Sequence, residues 1–243
     1  MTDDRKDDGQ NHGRPLIINA ANEEICGKNG TDVCLPKAQW PLFKKAVDVT
    51  VEIDVNGSEK HWIGAGVVIS KSGLVITAWH VVRGAKKIRV RRLRLDRETS
   101  KLVVARKRHV CDLVYADHKA DIAVLKLRRP PLNLPVAALG DSDDLEKDDP
   151  LYRVGCDDTP IASGYLLSFG KENRLDEITV GMPSQSGSSG GPIFGIYGRV
   201  VAIALRTNAD EKLPPCSYAV PINVIKRRVL RRRVIRELLE PPT

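Results

Sequence analysis

The chain has 243 residues, 42% of them apolar and only 5% aromatic, with a formal net charge of +8. This is enough to bury one aliphatic core in a single domain, and no apolar run reaches the ~20 residues that a membrane-spanning helix needs. The start, Met1-Thr2-Asp3-Asp4-Arg5-Lys6-Asp7-Asp8, is charged and has no apolar stretch behind it. It does not read as a signal peptide, so the expectation is a cytoplasmic or otherwise intracellular protein as given, and a periplasmic or secreted one if a leader was removed.

Residues 1–40 read as an N-terminal extension, partly disordered, because 1–14 offer almost nothing to bury. From Trp40-Pro41-Leu42-Phe43 a folded body is expected. Val47, Val49, Val51, Ile53 and Val55 alternate with Asp48, Thr50, Glu52 and Asp54, which predicts a half-buried strand ending at the Asn56-Gly57 turn. Its hairpin partner is expected over 61–70. A further strand over 73–77 runs into Ala78-Trp79-His80.

Residues 87–95 alternate apolar and basic side chains until Arg91-Arg92 breaks the period, so a bulge is expected there, with Ile88, Val90, Leu93 and Leu95 inward and arginines outward. Strands are expected over 101–116 and 121–128. The proline-rich stretch 129–135 cannot continue a central strand and reads as a crossing segment. Six more short strands, at 151–156, 161–169, 175–180, 192–196, 199–206 and 216–220, separated by turn residues, make the chain all-β. Only 222–243 reads as a basic amphipathic helix and tail, with Asn223 able to cap it and Glu240-Pro241-Pro242 ending it.

Five cysteines, at 26, 34, 111, 156 and 216, form no C-x-x-C pair and leave an odd count, so neither a zinc site nor a full disulfide framework is signalled. Cys26 and Cys34 are close enough to close a small loop in an oxidising compartment. Eleven lysines and arginines fall within 86–108 and seven within 226–236. Such runs attract nucleic acid or an acidic protein, although a solvated face is the ordinary reading of a charge run.

The chemistry concentrates at Ser186-Gly187-Ser188-Ser189-Gly190-Gly191-Pro192. Glycines around a serine permit positive φ, so the N–H groups of Gly187 and Ser189 can point into one small space, as an oxyanion hole requires. A serine there needs a histidine to take its proton and a carboxylate to orient that histidine. His80 lies just past a strand end and Asp121 opens the apolar run 122–127; Asp112 and Asp117 are nearby alternatives to Asp121, and Ser186 and Ser188 to Ser189.

Three blocks carry a resemblance: Thr77-Ala78-Trp79-His80, Ala120-Asp121-Ile122-Ala123-Val124-Leu125, and Gly187-Ser188-Ser189-Gly190-Gly191. In this order they resemble the trypsin-like serine peptidases, most closely the HtrA/Deg branch, over about 41–225. The resemblance implies two six-stranded antiparallel β-barrels, over about 41–130 and 135–221, with a C-terminal α-helix after Tyr218-Ala219-Val220-Pro221. It also implies an endopeptidase acting on protein or peptide substrates through His80, Asp121 and Ser189, with Gly187 and Ser189 as oxyanion donors and no cofactor or metal. The chain departs from the family's pattern at Trp79, a bulkier residue, and at Ser188, where relatives usually carry Asp or Asn. HtrA relatives usually continue into PDZ domains, and this sequence stops first. The primary pocket is implied to involve Met182, Pro183, Ala204, Leu205 and Arg206. The first four suit a small or medium aliphatic residue before the scissile bond; Arg206 is expected to point outward into solvent, and would favour an acidic residue if it turned in. The alternative is a latent or inactive protease-fold module that binds nucleic acid or an acidic protein through its basic face.

Overall fold

The computed structural model describes residues 40–95, 102–156, 161–171, 174–182, 186–208 and 216–239. Cys26, Cys34 and the expected N-terminal extension up to residue 39 lie outside them. Twelve strands form two closed barrels. The first contains β1 (Thr50–Asn56), β2 (His61–Val68), β3 (Leu74–Ala78), β4 (Lys87–Leu95), β5 (Leu102–Asp117) and β6 (Ile122–Leu127), in spatial order β1-β2-β3-β6-β5-β4. The second contains β7 (Pro150–Val154), β8 (Ile161–Lys171), β9 (Arg174–Val180), β10 (Pro192–Phe194), β11 (Val200–Thr207) and β12 (Ser217–Pro221), in order β10-β11-β12-β9-β8-β7. Pairing within both is antiparallel throughout.

The expected strand over 47–55 begins late. Helix α1 (Trp40–Val49) takes its first residues, because Phe43, Ala46 and Val47 bury one helical face at i, i+3 and i+4, and this outweighs the period-2 pattern of Val47 and Val49. Thr50 then closes the helix by donating from Oγ1 to the Ala46 carbonyl at 2.7 Å. The polar face of β1 was expected to be solvated and is not. Glu52 and Asp54 are only 4% and 1% exposed.

They are covered by the basic strand beside them. Arg91 pairs with Glu52, while Asp54 receives His61 Nε2 at 2.8 Å and lies 3.5 Å from Arg89 and 3.3 Å from Arg108. Burial alone would raise the Asp54 pKa, but the His61 hydrogen bond and the charges of Arg89, His61 and Arg108 together hold it below the usual carboxylate value. The expected irregularity at Arg91-Arg92 is present as a register shift between β4 and β5. It keeps Ile88, Val90 and Leu93 buried on one face.

Beyond the helix α2 (Trp79–Val82) between β3 and β4, the C-terminal region is helical in three short pieces, α3 (Ile222–Ile225), a π turn (Lys226–Leu230) and α4 (Arg233–Leu239), which follow β12. Asn223 does not cap α3, which starts one residue after Pro221. Instead its backbone N–H donates to Ser142 Oγ at 3.1 Å and its side chain to Asp141. Ile222, Ile225, Val229 and Ile235 are buried, so the helical tail is bound to the body by its apolar face. Among the described residues no helix is long and apolar enough to cross a membrane.

Candidate active site

The site is built where the barrels meet. Ala78 at the end of β3 pairs with Ile122 at the start of β6, so the residues just beyond these two ends are neighbours. One is His80, in the single helical turn α2 (Trp79–Val82), and the other is Asp121. Asp121 adopts φ of +54°, a conformation that non-glycine residues seldom take outside Asn and Asp. Its backbone carbonyl accepts from Trp79 N at 2.9 Å, and its carboxylate accepts from His80 N at 2.8 Å and from His80 Nδ1 at 2.7 Å. A carboxylate offers only acceptors, so Nδ1 carries the proton and Nε2 is left as the basic nitrogen.

The competing carboxylates are committed elsewhere. Asp117 accepts from the N–H groups of Lys119 and Ala120 at 3.0 and 3.1 Å, closing the turn that leads to Asp121, and from Arg228 Nε at 3.1 Å. Its desolvation is outweighed by these partners, Arg228 first, and its pKa is lowered. Asp112 is held by Arg128 at 2.7 Å. The other described histidines are likewise occupied: His61 by Asp54, while His118 stacks on Trp79 with ring centroids 4.4 Å apart, and His109 is half-buried, its pKa lowered chiefly by desolvation and then by Lys107. Trp79 therefore rests on His118.

Ser189 stands in the turn before β10. Gly187 and Gly190 both have positive φ, +104° and +82°. At Gly190 a side chain is excluded by space as well, since a Cβ would lie 2.2 Å from Thr77 Oγ1 and 2.3 Å from the Ala65 carbonyl. Backbone bonds fix the turn on every side: Ala65 N donates to Ser189 O at 2.8 Å, Gly190 N to Ala204 O at 2.7 Å, Gly191 N to Ser188 O at 3.0 Å and Cys156 N to Gly187 O at 3.3 Å. The first of these ties a strand of barrel one to the serine of barrel two. Among the described residues no backbone carbonyl accepts from the Gly187 or Ser189 N–H.

The hydroxyl of Ser189 donates to the Leu205 carbonyl at 2.8 Å. The register of β11 against β12 slips between Ala204 and Arg206, where Leu205 lies. So the structure brings His80 and Asp121 into direct contact and anchors Ser189 between Ala65 of β2 and Leu205 of β11, with its Oγ turned to its own barrel. The His80 side chain is 39% exposed, open to an incoming ligand.

Met182 and Ala204 are buried in the barrel-two core and Leu205 is buried beside it; Pro183 lies outside the described residues. Arg206 does not reach freely into solvent as expected. Its guanidinium makes two hydrogen bonds to the buried Glu177, at 3.1 and 2.6 Å, and lies 4.8 Å from the centre of the Tyr218 ring. Neither Glu177 nor the buried pair Glu52 and Asp54 stood out in the sequence. The available signal was the opposed charge pattern of strands that pair only in three dimensions. Among the described residues no three His, Cys, Asp or Glu side chains are grouped to hold a metal ion. Cys111 is buried and its thiol pushed up to about 12, chiefly by desolvation, while Cys156 and Cys216 are half-buried.

Residues 64–203 match the family model described as a trypsin-like peptidase domain. Among curated proteins, a probable periplasmic serine endoprotease DegP-like from Halomonas elongata is 32% identical over 178 residues, 70% of this chain and 35% of that protein. The magnetosome formation protease MamE of Magnetospirillum gryphiswaldense is 31% identical over 172 residues, 66% of this chain and 21% of that protein. The chain thus spans about a third or less of the length of these relatives. In fold it is similar to the HtrA-type protease AlgW with tripeptide, at TM-score 0.63 and 21% identity over 78% of this chain and 62% of the other. It is similar also to the serine endoprotease from Yersinia pestis, at 0.65 and 20% over 84% and 68%.

Proposed function

This chain belongs to the family of trypsin-like peptidase domains, and from that we propose that it is a serine endopeptidase whose catalytic residues are His80, Asp121 and Ser189. The observation that carries the assignment is the pair of hydrogen bonds from His80, backbone and ring, to one carboxylate, 2.8 and 2.7 Å long. They hold the imidazole with its basic nitrogen directed away from Asp121.

In the proposed reaction Ser189 Oγ leaves the Leu205 carbonyl by rotation about χ1 and attacks the scissile carbonyl carbon. His80 Nε2 takes the hydroxyl proton as the C–O bond forms, and Asp121 stabilises the resulting imidazolium. The negative charge that develops on the carbonyl oxygen is received by the N–H groups of Gly187 and Ser189. Each such donor is worth on the order of 3 kcal/mol of transition-state stabilisation. Collapse of the tetrahedral intermediate expels the amine, which takes the proton from His80. Water, deprotonated by the same nitrogen, then hydrolyses the acyl-Ser189 ester.

Substrate preference is proposed for a small or medium aliphatic residue before the scissile bond. Met182, Ala204 and Leu205 make the backing of this region apolar, and Arg206 is neutralised by Glu177. The names of the curated relatives favour a periplasmic or secreted setting, and the intracellular expectation finds no support in them. The basic-face alternative gains nothing from the comparisons. Several of the arginines it relies on, Arg89, Arg91, Arg108 and Arg228, are tied to carboxylates.

The test is Ser189→Ala with an unfolded protein and a fluorogenic peptide library as substrates. The wild type is expected to cleave both and the variant neither, with unchanged melting temperature. Persistent cleavage by the folded variant contradicts the assignment.

A further inference from the structure

Arg153 is the only lysine or arginine among the described residues that is wholly buried. It lies on β7, opposite Ile193 of β10 and Ala162 of β8, and Gly155 follows directly after the strand's end at Val154. A Cβ on Gly155 would stand 2.1 Å from Arg153 Nη1 and 3.3 Å from both Cα and Cβ of Ser188. The guanidinium therefore folds back along its own strand into the space that the glycine leaves, and Ser188 borders the same space. Ser188 is itself completely buried. The next residue of the strand end, Cys156, donates its N–H to the Gly187 carbonyl at 3.3 Å. Residues 153–156 thus form the floor under the turn 187–189, and the largest group in that floor is the Arg153 guanidinium.

Burying an arginine is costly in a core where an aliphatic residue would pack as well, and in some proteins a buried charge fixes the conformation around it. We propose that Arg153 is a positioning residue for the oxyanion hole: its guanidinium, seated in the missing-Cβ space of Gly155, props Ser188 from beneath so that the N–H groups of Gly187 and Ser189 stay directed at the reacting carbonyl. This rests on the reading of Ser189 as the nucleophile. Arg153 touches none of the reacting atoms and acts through the turn.

Gly155 supplies the decisive variant. Its φ is not in the left-handed region, so alanine meets no backbone strain there, and its methyl group displaces Nη1, with a second, tighter-than-usual contact of 3.3 Å to Ser188 that the double variant separates from it. We would measure hydrogen exchange of peptides spanning 186–191 against those of β10 and β11, together with kcat and KM on a peptide substrate, in Gly155→Ala, Arg153→Met and Arg153→Ala/Gly155→Ala. Both single variants are expected to exchange faster in 186–191 alone and to lose at least about tenfold in kcat, with KM nearly unchanged, the signature of a contact used in the transition state. In the Arg153→Ala background, Gly155→Ala is expected to add little; a full-sized further effect there would trace the Gly155→Ala result to its own contact with Ser188 and overturn the proposal. Unchanged exchange and kcat in a folded Gly155→Ala overturn the proposal. So does exchange that rises evenly through both barrels, since the role would then be core packing. If the wild type cleaves no peptide, the peptidase reading fails by itself, and the exchange data still decide whether Arg153 holds the turn.

Discussion

The two barrels hold their shares of the candidate site in different ways. Barrel one presents His80 and Asp121 already joined, with the carboxylate fixed by backbone and ring contacts of the histidine's own turn. Barrel two presents Ser189 on a rigid backbone with its hydroxyl bound to the Leu205 carbonyl. The fold therefore pairs His80 with Asp121 directly, whereas in the proposed mechanism the Ser189 hydroxyl must first leave the Leu205 carbonyl. Preorganisation lies in the parts whose misplacement would be most expensive, since a serine rotamer changes far more readily than a loop.

The largest effect should come from disabling the prebuilt half. Asp121→Asn keeps the size of the side chain but can stabilise the wrong tautomer of His80, and kcat should fall by on the order of 10⁴ with little change in KM. A loss below about tenfold in steady-state kinetics would mean that the pairing with Asp121 is incidental. Next comes the backbone of the nucleophile half. Gly190→Ala combines a positive φ with contacts of 2.2 and 2.3 Å, and should destabilise the protein by about 3 kcal/mol or more in urea titrations.

The turn that carries Asp121 is stapled by Arg228, which also reaches Asp176 of β9 at 3.0 Å and so joins the helical tail to both barrels. Arg228→Ala should cost only about 1 kcal/mol, because the guanidinium is partly exposed and Asp117 keeps its two backbone donors. Activity should decline by no more than a few-fold, which a kinetic comparison at fixed temperature would check.

The smallest effect concerns pH. Asp54 and Asp117 have folded pKa values lowered from 3.8, so the stability they give is complete above that value and is lost as pH falls through their lower folded values. Melting temperature should thus drop mainly below about pH 4, and Asp54→Asn should flatten that part of the curve. An unaltered acid limb would show that the buried acids of barrel one do not govern it.

Much of this organisation was legible in the sequence because it is local. Eleven of the twelve strands announced themselves by short apolar runs between turn residues, and the slip at Arg91-Arg92 was visible as a broken period. The first strand was misplaced at its start because Val47 and Val49 fit both a strand and a helix, and only Phe43 and Ala46, packed in the core, decide between them. Glu52 and Asp54 seemed destined for solvent. Their arginine partners come from β4 and β5, residues 35 or more positions away, and no window of sequence displays that pairing. His80, Asp121 and Ser189 could be nominated by motif, but the direction of the Ser189 hydroxyl is set by a carbonyl freed at a register slip in another strand. The burial of Arg153 is of the same kind. It follows from the space beside Gly155 and Ser188, which exists only once the barrel closes.

The most direct measurement is reaction of the intact protein with a fluorophosphonate probe, followed by peptide mass spectrometry to find the labelled residue, with Ser189→Ala and Asp121→Asn as controls. Labelling confined to Ser189, absent in the first variant and strongly slowed in the second, is the predicted result. Labelling at another serine, or at Ser189 with no dependence on Asp121, would contradict the account.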